Sequence, residues 1–462
     1  MSDLLRLEPG IGALTANLFL PKELVVEEAV RAQLTFGDGD DKITLVRNHP
    51  HHLEVPRNAF SLAQMAELEI PVRDLRPKTY APVALTPSSG FSLRTEQRPA
   101  IDTLVRHGGD ATLNLATGRG KTVMAWFRAA QIGGPVLFVA PQKAHLANAL
   151  KELKEFFDFQ GSVGWMAGGK FEWECDVVVS TVQMLARFAQ EGRLPPEFYR
   201  RFALAIYDEA HHMSAAFFSR AADVCQGTRL ALTATARRRD EKQGVFFAHL
   251  GPIVYSDVEP DMVPIVHIMP LDTEFTPDEY AECLDCTGNE HLGMMYKVLG
   301  GLTARNNRIC AALQADLDAG RVIYALTHSP DHAQALHARF PTAGIILENM
   351  GHEERLRQLN LAQLTITTYG IGAESYNRKD LDCVHHCTPP GARDGVAIQF
   401  DQGSGRGLRF LEGKPTPLVR VWWDRTVPIL NGLVWGLIHH SRGRGWEVQG
   451  VTSGRTKRRL TI

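Results

Sequence analysis

The chain has 462 residues, of which 44% are hydrophobic and 22% charged, with a formal net charge of −2 and seven cysteines. That length exceeds one hydrophobic core and suggests roughly three domains of soluble composition. An apolar run on the order of eighteen residues is missing, so a membrane span is excluded; the odd cysteine count and the acidic start "MSDLLRLEPGIGAL" point to reduced thiols and a cytoplasmic protein.

Residues 1–88 read as a small β-rich accessory domain. "AQLTF", "GDGDD" and "KITLVR" suggest two strands around a turn, and "HHLEVPRNAF" a further extended piece. The proline-spaced "IPVRDLRPKTYAPVALTPSSG" reads as a linker. Within 89–262 short apolar runs alternate with helical stretches. "ATLNLAT", "PVLFVAP", "CDVVVST", "LAIYDEA" and "RLALTAT" have the continuous apolar character of buried parallel strands. Within 263–462 the alternation returns in "VPIVHIMPL", "RVIYALTHS", "TAGIILE", "LTITTYG", "LDCVHHCTPP" and "LVRVWWDR". "VPILNGLVWGLIHHSRGRGWEV" closes it as a helix and a last strand. The expected fold class is α/β, with two parallel sheets carrying helices on both faces. Ligands in such sheets bind beyond the carboxyl ends of the strands.

The unusual residues lie at those ends. "NLATGRGKT", residues 114–122, departs from the strict phosphate-loop pattern because Leu115 stands where its first glycine belongs. It still offers a glycine turn between a strand and a helix, where backbone N–H groups converge on an anion. Thr117, Gly118, Arg119, Gly120 and Lys121 would cradle nucleotide phosphates, and Thr122 would hold Mg²⁺ through its hydroxyl. In "AIYDEAHH" an apolar strand ends in two carboxylates. Asp208 would hold Mg²⁺ through water, and Glu209 would orient and deprotonate an attacking water.

Two other groups invite a metal reading: Cys283 and Cys286 with His291, and "DCVHHC" with Cys383, His385, His386 and Cys387. Zinc needs four well-placed ligands, and cysteine is also a common small apolar filler of buried strands. The histidines at 49, 51 and 52 read as a polar strand surface, and the C-terminal "GRTKRRLTI" as a solvated basic tail.

In order and spacing, "TGRGKT", "DEAH" and "TAT" resemble motifs I, II and III of the superfamily 2 helicases. That family's motif I is typically xxTGxGKT, which accommodates Leu115. "LRTEQRPAI" resembles its adenine-reading segment, giving Gln97 as reader with Arg94 in support. "APQKAHLANAL" resembles motif Ia and "VVVSTVQML" the motif after it; "LTITTYGIGAESYN" resembles motif V. The resemblance implies nucleic-acid contacts at Gln142, Lys143, Ser180, Thr181, Thr327, Thr367, Thr368 and Tyr369. "QGSGRGLR" resembles motif VI and supplies Gln402, Arg406 and Arg409, the arginines acting on charge at the γ-phosphate. The family implies two tandem RecA-like domains, ATP and Mg²⁺ as cofactors, and a monomer that turns hydrolysis into domain motion. Ser375 stands where motif V usually has glycine, and "ARRRD" after "TAT" would meet phosphate or cap a helix.

The motif forms look most like the phage UvsW-type repair and recombination helicases, which implies single-stranded, forked or branched DNA as partner. A duplex translocase without strand separation, an RNA helicase and an ATP-gated clamp are the alternatives. The N-terminal domain would either face duplex DNA with Arg47, Arg57, Arg73, Arg76 and Lys78 or cap the motor. Trp165 and Trp173 are candidates for a strand-separating wedge or for core packing.

Overall fold

The computed structural model describes residues 9–37, 42–116, 118–210, 220–234, 243–259, 261–372, 378–390 and 397–451. Thr117, His211, His212, Thr235, Arg237–Arg239, Ser375–Asn377 and the basic tail lie outside them. Two compact units divide the chain, Met1–Glu259 and Pro260–Ile462.

The first unit opens with strands β1 (Gly12–Leu14) and β2 (Asn17–Pro21). β3 (Thr35–Phe36) and β4 (Ile43–Thr44) form the antiparallel pair that the alternation around "GDGDD" suggests. β5 (Arg47–Asn48), β6 (His52–Pro56) and β7 (Val72–Asp74) complete a five-stranded sheet in the order β5-β6-β2-β1-β7. The proline-spaced stretch is therefore more than a linker: it supplies β7, parallel to β1, and β8 (Leu85–Pro87), which pairs with β11 (Phe157–Phe159). Both are short and flank prolines, a placement that sheet edges tolerate.

Seven parallel strands follow: β9 (Ala111–Leu115), β10 (Val136–Ala140), β12 (Val163–Met166), β13 (Val177–Thr181), β14 (Leu204–Tyr207), β15 (Thr228–Thr233) and β16 (Ile253–Asp257). Their order is β12-β13-β10-β14-β15-β9-β16. Alternate residues feed opposite faces: Val136, Phe138 and Ala140 enter one apolar cluster, Leu137 and Val139 the other. Helices cover both faces, so the strands read as continuous apolar runs. Trp165 and Trp173, both half-buried, pack against these two clusters, as the core-packing alternative expects.

The second unit repeats the architecture with β17 (Ile265–Leu271), β18 (Ile323–Thr327), β19 (Gly344–Ile346), β20 (Leu364–Thr368), β21 (Cys383–His386), β22 (Leu418–Asp424) and β23 (Glu447–Gln449). The order is β19-β20-β18-β21-β22-β17-β23, every pairing parallel. Two parallel seven-stranded sheets and a small N-terminal mixed sheet are the tandem RecA-like architecture expected. Among the described residues no helix is long and apolar enough to cross a membrane.

The N-terminal sheet is seated at the amino ends of the first parallel sheet. Arg57, with a side chain 1% exposed, grips both oxygens of Asp110, the residue before β9. It also donates to the carbonyls of Cys225, Gln226 and Gly227 leading into β15. Arg229 answers from β15, donating to the carbonyls of Ala16 and His249. Burial would raise the Asp110 carboxyl, but Arg57 and Arg229 more than offset it and hold it below its usual value. Arg57 is thus unavailable to a nucleic acid. Arg47 pairs with Glu54 and Asp223, and Arg76 and Lys78 with Asp74.

Candidate functional site

At the opposite, carboxyl edge of that sheet, β9 runs into the glycine loop and then the helix Lys121–Ile132. Gly118 and Gly120 adopt φ of +94° and +75°, conformations a side chain rarely takes. They turn the chain sharply enough for the helix to start at Lys121. Lys121 Nζ donates to the Leu115 carbonyl at 3.1 Å, held in the mouth of the turn. Thr122 is half-buried beside it.

Arg94 and Gln97 are drawn to this loop. Arg94 Nη2 donates to the Gly118 carbonyl at 3.2 Å and buried Gln97 Nε2 to the Arg119 carbonyl at 3.0 Å. A Cβ on Gly120 would collide with the Gln97 amide. Arg119 turns the other way, donating to the Glu259 carbonyl at 2.8 Å and meeting Asp257 Oδ1 at 3.3 Å. Those residues end β16 and close the first unit.

β14 lies two strands from β9 and ends at Tyr207, so Asp208 and Glu209 emerge at the same edge. The Asp208 amide donates to the Val139 carbonyl, and its Oδ1 accepts from the Glu209 amide at 3.0 Å. Glu209 stands at φ +48°, a left-handed conformation uncommon outside glycine. Burial, then the Glu209 charge, push the Asp208 carboxyl above its usual value, against the pull of His145 and Lys121. Lys121, His145, Asp208 and Glu209 therefore form one electrostatic cluster. His145 belongs to a segment read for Gln142 and Lys143. Its signal was a histidine on the apolar stripe of a helix that also carries Leu146, Ala149, Leu150 and Leu153.

Of the residues expected to meet nucleic acid, Gln142 and Lys143 are exposed and Thr181 is half-buried, capping the helix Val182–Gln190. The others differ from that expectation because central strands bury both faces. Ser180 donates to the Met166 carbonyl, Thr327 bonds His332, and Thr367 donates to the Ile346 carbonyl. Thr368 is buried at the end of β20. Tyr369 is buried, with its hydroxyl 2.7 Å from His386 Nδ1.

In the second unit Gln402 lies on the helix Ile398–Ser404, half-buried; Arg406 is buried and Arg409 half-buried in the turns that follow. Lys414, which the motif reading passed over, donates to the carbonyls of Gly407 and Arg409 at 2.8 Å each. Burial brings its ammonium down to about 8. It braces the arginine-bearing turn from below.

The metal readings do not assemble. Strand alternation places Cys383 and His385 beside Asp316, whereas His386 bonds Tyr369 and Ser404. Asp316, Cys383 and His385 are the group whose ligand atoms converge among the described residues, but Arg420 grips both oxygens of Asp316 and His385 takes one. Cys286 is exposed, Cys283 is buried, and His291 caps the helix Leu292–Gly301.

Residues 90–238 match the family described as type III restriction enzyme, res subunit. A DNA 3'-5' helicase XPB of Mycobacterium tuberculosis is 31% identical over 169 residues, 36% of this chain and 30% of that protein. A putative DNA 3'-5' helicase Rad25 of Haloarcula marismortui is 26% identical over 226 residues, 46% of this chain and 35% of its own. A putative ATP-dependent RNA helicase of Acanthamoeba polyphaga mimivirus is 23% identical over 368 residues, 77% and 66% of the two chains. The chain thus spans about a third of the length of the first curated relatives it matches. Among solved structures, S. cerevisiae Dbp5 bound to RNA and ADP BeF3 shares the fold, with a TM-score of 0.54 at 13% identity over 76% of this chain and 88% of that one.

Proposed function

We propose that this chain, a relative of the superfamily 2 helicases, is an ATP-dependent motor that unwinds or remodels forked and branched DNA. The observation that carries the reading is the meeting of a glycine loop, Lys121, Asp208 and Glu209 at one sheet edge. Buried Asp208 and the adjacent Glu209 offer hard oxygens that, with the Thr122 hydroxyl, suit Mg²⁺. When bound, that ion would neutralise charge on the β- and γ-phosphates.

The chain's own residues do the rest. Lys121 exchanges the Leu115 carbonyl for phosphate oxygens, and the loop residues Thr117–Gly120 would cradle the phosphates. Arg94 and Gln97 read adenine while bracing the loop, and Asp208 and Thr122 would hold the metal. Glu209 orients the attacking water and accepts its proton; Arg406 and Arg409, in the segment that also carries Gln402, neutralise charge in the transition state. Residues 89–262 and 263–462 act as the two motor domains, and 1–88 as the accessory domain that selects DNA. Gln142, Lys143 and Thr181, the exposed or half-buried residues of the expected set, track the strand. The protein acts as a monomer. RNA is the second reading, favoured by the mimivirus relative, whose similarity covers 77% of this chain and whose name specifies RNA.

The test is ATP hydrolysis by wild type and Glu209→Gln with single-stranded DNA, duplex, a model fork, a four-way junction and RNA. Stimulation by forks or junctions, lost in the variant, is expected. Stimulation by RNA alone would move the substrate to the second reading, and equal stimulation by plain duplex would point to a simple translocase. Gly120→Ala should weaken binding of a fluorescent ATP analogue by about fivefold or more, since strain of about 1–3 kcal/mol at a positive φ falls on the loop itself. Unchanged affinity would remove the loop from the nucleotide site.

A further inference from the structure

Helix Lys143–Phe156 directs Leu146, Ala149, Leu150 and Leu153 into the core, and His145 continues that buried face in its first turn. His145 is only 7% exposed, yet among the described residues neither Nδ1 nor Nε2 has a hydrogen-bond partner. Other buried histidines of the chain are anchored: His249 to Asp223, His332 to Thr327, His385 to Asp316, and His386 to Tyr369 and Ser404. A buried imidazole with both nitrogens unmet is uncommon and weakens the fold that holds it.

Its surroundings say what it is kept for. β10 ends at Ala140 and pairs with β14 through Val139 and Tyr207, so the helix that follows β10 starts beside the end of β14. The Asp208 amide is bonded to the Val139 carbonyl at 2.8 Å, fixing the start of the acidic turn against the end of β10, the strand that leads into this helix. Asp208 Oδ1 already accepts from the Glu209 amide. Oδ2 is left, and of the two side chains that pull this carboxyl down, His145 has the larger influence and Lys121 the smaller.

The geometry points to His145 as a positioning residue for Asp208: once nucleotide and metal occupy the site, a ring N–H donates to Oδ2 and fixes the orientation of the carboxylate. This rests on the nucleotide-site reading above. Before loading, the imidazole waits without a bond; after loading, it supplies the donor that a buried carboxylate beside a second carboxylate lacks.

The test compares His145→Leu, His145→Gln and, as control, Lys121→Ala in the full chain. Three quantities are read: the melting temperature without nucleotide, the Mg²⁺ concentration for half-maximal binding of a fluorescent ATP analogue, and KM and kcat for ATP. Leucine keeps the volume and removes the unmet nitrogens, so the nucleotide-free melting temperature should hold or rise. The Mg²⁺ requirement should increase by about tenfold, the loss of roughly one oriented hydrogen bond. kcat should fall more than KM rises. Glutamine, whose amide can donate, should bring the Mg²⁺ requirement back to within about threefold of wild type. A wild-type Mg²⁺ requirement in His145→Leu would overturn the proposal. So would a lowered melting temperature with glutamine equally impaired, since the ring would then be packing alone. Retained turnover in Lys121→Ala would instead sink the nucleotide site itself, a separate failure.

Discussion

Arg57→Ala is expected to destabilise the first unit by about 3–5 kcal/mol, the usual consequence of leaving one partner of a buried ion pair without the other. For a body of this size that is a fall of roughly 6–20 °C in melting temperature, measurable by calorimetry. The reason is local. Asp110 is 3% exposed at its side chain, and Arg57 saturates both its oxygens while also satisfying three carbonyls ahead of β15. Lysine should not restore the loss, because an ammonium cannot span a carboxylate and three carbonyls as a planar fork does. Removing both charges with Arg57→Met and Asp110→Asn should recover part of it. Asp110 sits below its ordinary value, so its share of stability is present above about pH 4 and is lost as pH falls through its lowered value. A loss under about 1 kcal/mol would mean that the N-terminal sheet is held by its apolar contacts instead. Deleting residues 1–88 is accordingly a poor probe of DNA selection, since it takes Arg57 from Asp110 and the Ala16 carbonyl from Arg229 at the base of the motor sheet.

Asp208→Asn should produce two opposite effects. Hydrolysis should fall by at least about a hundredfold, since the group proposed to hold the metal loses its charge. The nucleotide-free protein should become more stable, by about 1–2 kcal/mol at neutral pH, as sites tuned for function commonly are when neutralised. The sign follows from the raised carboxyl. The folded state holds the Asp208 proton more tightly than the unfolded chain, so that stabilisation is complete below about pH 4 and is lost as pH rises through the folded value. Asparagine mimics the protonated form, and its advantage in melting temperature should shrink towards zero as pH approaches 4. An asparagine variant that melts below wild type at neutral pH would contradict the claim that burial and Glu209 burden this carboxylate.

The parallel strands were legible because both of their faces are covered, which writes each as an unbroken apolar run. β12 and β16 were harder: they lie at the sheet's edges, where "VGWM" and "IVYSD" mix polar with apolar residues. β7 and β8 were masked by their prolines, and nothing near β8 in sequence announces that its partner is Phe157–Phe159. The same covered faces misled the reading of Ser180, Thr327 and Thr367. A hydroxyl in a central strand looks available in sequence, but the pleat turns it inward onto a neighbouring carbonyl or imidazole. The loop and the paired carboxylates could be read because their chemistry is local in sequence. The Arg57, Asp110 and Arg229 clamp joins residues 53 to 213 positions apart, a link that no spacing reveals.

That separation bears on how the protein is made. Arg57 leaves the ribosome 168–170 residues before the carbonyls of Cys225–Gly227 that will hold it. At cellular synthesis rates the interval is roughly 10–30 s. Through that time the nascent N-terminal sheet has no seat, and its guanidinium stays in water rather than in its eventual dry slot. The first motor domain can close its base only after β15 has emerged, so the accessory sheet, though translated first, is locked into place near the end of that domain's synthesis.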